Sequence, residues 1–214
     1  MNLSPGQLTA ALISYAIVIV SLSAHEWGHA WTADRLGDDT ARRMGRVTLN
    51  PLAHIDLIGT VVIPFIAILT GIPIIGWAKP VLINPDNLPR TSQRAWVTIA
   101  GPAMNLLLAL AGTIVFALVV RAAPDAPWLP GLLSSIIVIN ISLMVFNLLP
   151  VPPLDGSKFL MYWFGMSERA YIAFARYGWL ILMVLFNIPQ TRGFLGSLIG
   201  HALKPFVALL QFLT

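Results

Sequence analysis

The chain contains no cysteine. Disulfides are thereby excluded, and any bound metal has to be held by nitrogen and oxygen ligands. Charge is almost as scarce. Asp, Glu, Lys and Arg together make up 10% of the 214 residues, against about 25% in a soluble globular domain. The 13 Lys and Arg residues, for a net charge of +4, form no basic face with interleaved aromatics, so nucleic-acid binding has no support. Polar linkers and low-complexity tracts are missing too, which leaves one membrane domain over residues 1–214. No internal repeat stands out of the kind that builds inverted-repeat transporters.

What remains is apolar: 57% of the residues are hydrophobic and the mean hydropathy is +0.79. A bilayer is the expected solvent. The 16 prolines and 16 glycines lie between long apolar runs, a pattern of broken helices rather than of disorder. A membrane span needs about 20 mostly apolar residues, and Leu8–Ala33, Arg94–Val120, Leu132–Leu149, Tyr171–Ile188 and Phe194–Leu213 qualify. No Lys or Arg precedes the first run, the first being Arg35, and no small-residue cleavage pattern follows it. A retained span is expected there, not a signal peptide. Leu57–Ile75 is apolar enough to span, but Pro64, Gly71 and Pro73 interrupt it and Pro80 follows. Before it, Arg46–Leu49 alternates polar and apolar like a short strand and ends at Asn50-Pro51. The expected fold is an all-α polytopic bundle of about five to six transmembrane helices. A short β-like, re-entrant element is expected to follow the first of them.

The basic residues set the orientation. Arg35, Arg42, Arg43 and Arg46 follow the first span, Lys79, Arg90 and Arg94 precede the second clear one, and Lys158, Arg169 and Arg176 follow Asp155. Arg121 and Arg192 lie at the opposite ends. All three basic segments are cytoplasmic only if Leu57–Ile75 enters and leaves on one side. A full crossing would put Asp155 on the face opposite His25.

Within the first run stands His25-Glu26-Trp27-Gly28-His29. Residues i and i+4 share one helical face, so both imidazoles can reach a single ion, and Glu26 lies beside them within reach of the water that the ion activates. HExxH fixes only three residues, but His, Glu and His inside an apolar helix are costly to keep without a metal or a pore. A third ligand is needed, with His54, His201 and the acidic residues as candidates. Asp155 stands out because Pro150, Pro152 and Pro153 before it forbid a regular helix and free backbone polar groups at membrane depth. His54 is a candidate for substrate or oxyanion contact, while a structural role is favoured for His201. Asn105 and Asn140 lie within spans and read first as interhelical hydrogen-bonding residues. Trp77, Trp96, Trp128, Trp163 and Trp179 fall near span ends, as an aromatic belt would.

HEWGH on a membrane helix, with Asn147-Leu148-Leu149-Pro150-Val151-Pro152-Pro153-Leu154-Asp155-Gly156 over a hundred residues later, resembles the site-2 proteases, the intramembrane zinc metalloproteases. Both of that family's patterns, HExxH and NxxPxxxLDG, are complete. Ala100-Gly101-Pro102 with Asn105 is similar to the family's AGP segment, and Asn50 to Asp56 with Gly76 to Pro80 resembles a compact prokaryotic branch without PDZ or CBS modules. The resemblance implies one zinc ion per chain, held by His25, His29 and Asp155, with Glu26 as general base and Asn147 positioning substrate or stabilising the oxyanion. It implies a multi-pass protein of the plasma membrane with its active site toward the cytoplasm. The substrate would be a membrane protein with a transmembrane helix, unwound for cleavage, and Arg46–Leu49 with the re-entrant element offers an edge to pair with it. The rival readings are a metal-ion or proton transporter using the same His, Glu and Asp cluster, and a catalytically silent scaffold.

Overall fold

The computed structural model describes residues 4–70, 77–122, 126 and 128–214, without the side chains of Ile68 and Thr70. Helix α1 (Pro5–Arg35) opens with a full capping box. The Ser4 Oγ accepts from the Gln7 N–H, and the Gln7 Oε1 accepts from the Ser4 N–H at 2.9 Å, satisfying two of the donors that a helix start leaves unpaired. At 1.5 Å per residue, His25 lies roughly 30 Å along the axis from Pro5. That is about the thickness of a hydrocarbon core, so the HEWGH turn sits near the end of the span that carries the basic residues.

Gly37, with φ +112°, turns the chain out of α1. A short helix, α2 (Thr40–Arg43), follows. Helix α3 (Ile63–Thr70) belongs to the element expected to be re-entrant and is preceded by a π-helical turn at Leu57–Val62. Helix α4 (Thr91–Ala122) and helix α5 (Trp128–Asn147) form the centre of the bundle. After the proline loop come α6 (Phe159–Tyr162), α7 (Glu168–Ala175), α8 (Gly178–Asn187) and α9 (Pro189–Leu213). Helix α4 packs against both α1 and α5, and α9 closes on α4 and α5 around Ala109, Ile137, Ile141 and Phe206. The outer faces stay apolar, with Leu107, Leu118, Met183 and Phe212 exposed, as lipid contact requires.

Among the described residues, α1, α4, α5 and α9 are long and apolar enough to cross a membrane. The stretch predicted as one span over Tyr171–Ile188 is instead a pair, α7 and α8, bent by 51°. The cause lies at the break. A Cβ on Gly178 would stand 2.1 Å from the Pro152 carbonyl oxygen, so the proline loop presses into the helix where only glycine admits it. Counted as one broken span, the pair makes five.

The start of the ambiguous segment lies beside the chain that follows it. The Asp56 carboxylate caps its first turn through the N–H groups of Ile58 and Gly59. Residues 71–76 lie outside the described residues, but the chain on either side of them is tied together. The Trp77 N–H donates to the Gly59 carbonyl at 3.2 Å, the Thr60 hydroxyl donates to the Trp77 carbonyl at 2.8 Å, and the Lys79 N–H donates to the His54 carbonyl at 2.8 Å. Entry and exit are therefore neighbours on one side of the bundle. The Trp77 ring fills the space a side chain at Gly59 would need and packs against Trp179 with centroids 5.0 Å apart and planes tilted by 56°; the Tyr15 hydroxyl binds the Thr60 carbonyl.

The expected strand over Arg46–Leu49 does not form, and no strand occurs among the described residues. Its polar groups are taken up locally. The Thr48 carbonyl accepts from His54 Nε2, the Thr48 hydroxyl accepts from the Asn50 N–H, and the Arg46 guanidinium donates to the Ala53 carbonyl. The segment is a bent strap wound on the next turn.

Asp38, fully buried, pins the loop before α4. Its carboxylate accepts from the Asn84 N–H at 2.7 Å, the Asn87 amide at 2.9 Å, and the Thr40 hydroxyl and N–H. Burial pushes this carboxyl up, but the hydrogen bonds from Thr40, Asn87 and Asn84 outweigh it and hold it below the usual carboxylate value. A carboxyl with a lowered folded pKa stabilises the fold above its unfolded pKa, and the contribution is lost as the pH falls through the folded one. Asp38→Asn is therefore expected to lower thermal stability in detergent at pH 7 and to lose that deficit progressively as the pH falls below about 4. An equal deficit at both pH values would show that the charge is not what matters.

Candidate metal centre

Two of the residues come from one turn of α1 and the third from the proline loop 126 residues beyond His29. His25 Nε2 and His29 Nε2 lie 3.1 Å apart, and Asp155 Oδ2 lies 3.1 and 3.0 Å from them. All three side chains are buried, at 3, 5 and 7% exposure. Ligand atoms on a tetrahedral zinc at 2.0–2.1 Å stand about 3.3 Å from one another, so the spacing suits one small ion. The donor set suits it as well: two imidazoles and a carboxylate, with room for a fourth position.

The imidazoles are aimed from behind. His25 Nδ1 donates to Asn105 Oδ1 and His29 Nδ1 donates to the Val97 carbonyl, each at 2.7 Å. This leaves both Nε2 lone pairs pointing inward, the arrangement found behind metal-ligating histidines. Asn105 is held in turn. Its amide donates to Asn140 Oδ1 at 3.0 Å, and the Asn140 amide donates to the Ser21 hydroxyl at 3.0 Å. The two asparagines read as interhelical ties are that, and Asn105 is also the group that orients His25. Ser21 stands four residues before His25 on the same helical face, a position the sequence pattern left unmarked.

Small residues bring α4 close enough. A Cβ on Gly28 would lie 2.7 Å from the Ala100 carbonyl oxygen, and one on Gly101 would lie 2.3 Å from His29 Nε2 and 2.5 Å from His25 Nε2. Gly101 thus keeps open the volume the ion requires. On the loop side, the Pro152–Pro153 peptide is cis, and Gly156 abuts the Leu148 carbonyl with no space for a Cβ. Asp155 Oδ1 accepts from Lys158 Nζ at 3.0 Å, which steadies the carboxylate while Oδ2 faces the histidines.

Glu26 lies beside the cluster, half-buried. Its Oε2 accepts from the Val81 N–H at 2.9 Å, and among the described residues its Oε1 has no partner. Val81 belongs to a strip without regular secondary structure, 77–84, that reaches α1 from the side. The other candidates make their hydrogen bonds elsewhere. Asn147, at the end of α5, donates from its amide to the Leu143 carbonyl. His54 is buried with Nε2 on the Thr48 carbonyl and Nδ1 without a partner. His201 is exposed and bonds its own helix at the Ser197 carbonyl.

The sequence pattern of Peptidase family M50 matches residues 13–126 and 118–186. A Bacillus subtilis protein provisionally named zinc metalloprotease YwhC is 37% identical over 215 residues, covering 94% of each chain. Proteins provisionally named zinc metalloprotease Rip2 are also similar. The one from Mycolicibacterium smegmatis is 32% identical over 80% of this chain and 65% of its own length. The one from Mycobacterium tuberculosis H37Rv is 30% identical over 82% of this chain and 66% of its own length. No solved structure matches the chain. With His25 and His29 on α1 and Asp155 on the proline loop gathered into one buried cluster, the chain belongs to Peptidase family M50 as a multi-pass zinc metallopeptidase.

Proposed function

We propose that this chain, as a single membrane domain, hydrolyses peptide bonds in or near transmembrane segments of membrane-anchored proteins, from the cytoplasmic side of the plasma membrane. The observation that carries this reading is the depth of the site. The cluster is buried within the bundle on the C-terminal part of α1, a helix long and apolar enough to cross a membrane.

In this reading His25, His29 and Asp155 hold zinc, which when bound supplies an acidified water and polarises the scissile carbonyl. Asn105, Val97 and Lys158 keep the three side chains in place. Glu26, fixed through Oε2 by the Val81 N–H, accepts the proton of the attacking water on its free Oε1 and delivers it to the leaving amine. The C–N bond breaks as the carbonyl carbon gains the water oxygen. A helical substrate hides its carbonyls, so it has to unwind, and its freed backbone groups then need partners. The strip 77–84 has them to offer: among the described residues the Leu82 N–H and carbonyl bond nothing. Asn147 and His54, near the loop and the re-entrant base, would contact the substrate rather than the ion.

The test is the purified protein in liposomes with a membrane-anchored substrate. Chelation is expected to stop cleavage and added zinc to restore it, with cuts mapped by mass spectrometry within or beside the substrate's transmembrane segment. Cuts confined to a distant soluble region, or ion flux with no cleavage, would overturn the reading.

A further inference from the structure

Beside the metal centre is a cavity of about 320 Å³ that the steps above do not use. Three of its lining residues each hold one member of the cluster or its neighbour: Val81 binds Glu26, Val97 binds His29, and Lys158 binds Asp155. The cavity therefore lies one residue away from the reacting groups, separated from them by Val81, Val97 and Lys158. A peptide with its scissile bond at the cluster would have a flanking side chain at the cavity mouth, and the volume accepts one large side chain with room for water.

Its chemistry is one-sided. The ionisable side chains lining it are Arg94, Lys158, Tyr162 and Tyr171, and among the described residues no carboxylate lines it. Arg94 is preorganised: Nε donates to the Leu88 carbonyl at 2.7 Å and Nη2 to the Pro85 carbonyl at 2.9 Å, while Nη1 has no acceptor among the described residues. A guanidinium held by two carbonyls keeps its full charge and loses little entropy on meeting an anion. Lys158 already meets Asp155 Oδ1, so its attraction for a second carboxylate is shared. The remaining wall is apolar apart from Thr98, suited to a methylene stem ahead of a charged head.

We propose that this cavity is a specificity pocket for an acidic side chain, Glu above Asp, flanking the bond to be cut, with Arg94 as its principal partner. The inference rests on the protease reading. It names a preference that the family membership does not supply.

The experiment uses zinc-loaded protein in nanodiscs of neutral lipid and short peptide hydroxamates, which anchor to the metal and present side chains beside it. Otherwise identical compounds carry Glu, Gln, Leu or Lys at each position in turn, and Kd is measured by calorimetry. At one position Glu is expected to bind about tenfold tighter than Gln, with Lys weakest, in line with one added charge-assisted contact. In Arg94→Glu that order is expected to reverse, Lys above Glu, while the Gln compound and the zinc content report an intact site. If Arg94→Glu loses zinc, the wild-type ranking and Arg94→Lys, which keeps the charge and the order, decide the matter. Equal affinity for Glu, Gln and Lys at every position would overturn the pocket while leaving the protease reading intact. A Glu preference abolished by anionic lipid would assign the cavity to a headgroup and overturn it as well. Failure of every hydroxamate to bind would overturn the protease reading and this inference with it.

Discussion

Alanine at position 101 is expected to strip the protein of zinc without unfolding it. A Cβ there would stand 2.3 Å from His29 Nε2, 2.5 Å from His25 Nε2 and 2.7 Å from His25 Cε1, closer than any non-bonded carbon approaches nitrogen. Neither ring can swing away at little cost. Each is held at Nδ1 by a 2.7 Å hydrogen bond, His25 to Asn105 and His29 to Val97, and both sit on a helix whose Gly28 is pressed against the Ala100 carbonyl. Relief comes from turning the imidazoles off their donors, which misdirects both Nε2 atoms. Losing even one such orienting bond costs about 10–100-fold in metal affinity, and here both are disturbed while the ion's own volume is invaded. Competition with a chromophoric chelator measures the loss. Gly200→Ala is the control, because a Cβ there meets nothing within 4 Å. Wild-type zinc affinity in Gly101→Ala would mean that the ion does not bind between these histidines.

The second large effect is on rate alone. Glu26→Gln keeps the shape of the side chain, and the amide oxygen can still accept from the Val81 N–H, so the strip 77–84 stays in place and zinc stays bound. What the amide cannot do is take up a proton. Proton transfer by a positioned side chain is worth about 10²–10⁴-fold, and cleavage of a membrane-anchored substrate is expected to fall by that factor at unchanged zinc content. The comparison also separates the protease from a transporter built on the same residues, because a relay would show flux and no cleavage in either form. Normal cleavage by Glu26→Gln would remove Glu26 from the chemistry.

Much of this was legible along the chain because it is local. Helical periodicity places His25 and His29 on one face whatever lies around them, and the scarcity of charge with long apolar runs calls for a bilayer. The spans follow from length, to within about five residues at their ends, except at Tyr171–Ile188, where a contact from elsewhere breaks the helix at Gly178. Alternation at Arg46–Leu49 suggested a strand and misled, since polar groups of the next turn, including His54, take up its hydrogen bonds.

The HEWGH turn is thus determined by sequence as two imidazoles and a carboxylate on one helical face in an apolar run. The proline loop is likewise marked as irregular by composition. That Asp155 meets His29 across 126 residues, that Leu57 and Trp77 lie on one side, that Asn105 aims His25 and that a cationic cavity opens beside the site are decisions of the tertiary structure. They depend on how closely helices approach. That distance is set by glycines at 28, 101 and 178 meeting particular atoms of distant segments, and no periodicity within one segment encodes what the other will be.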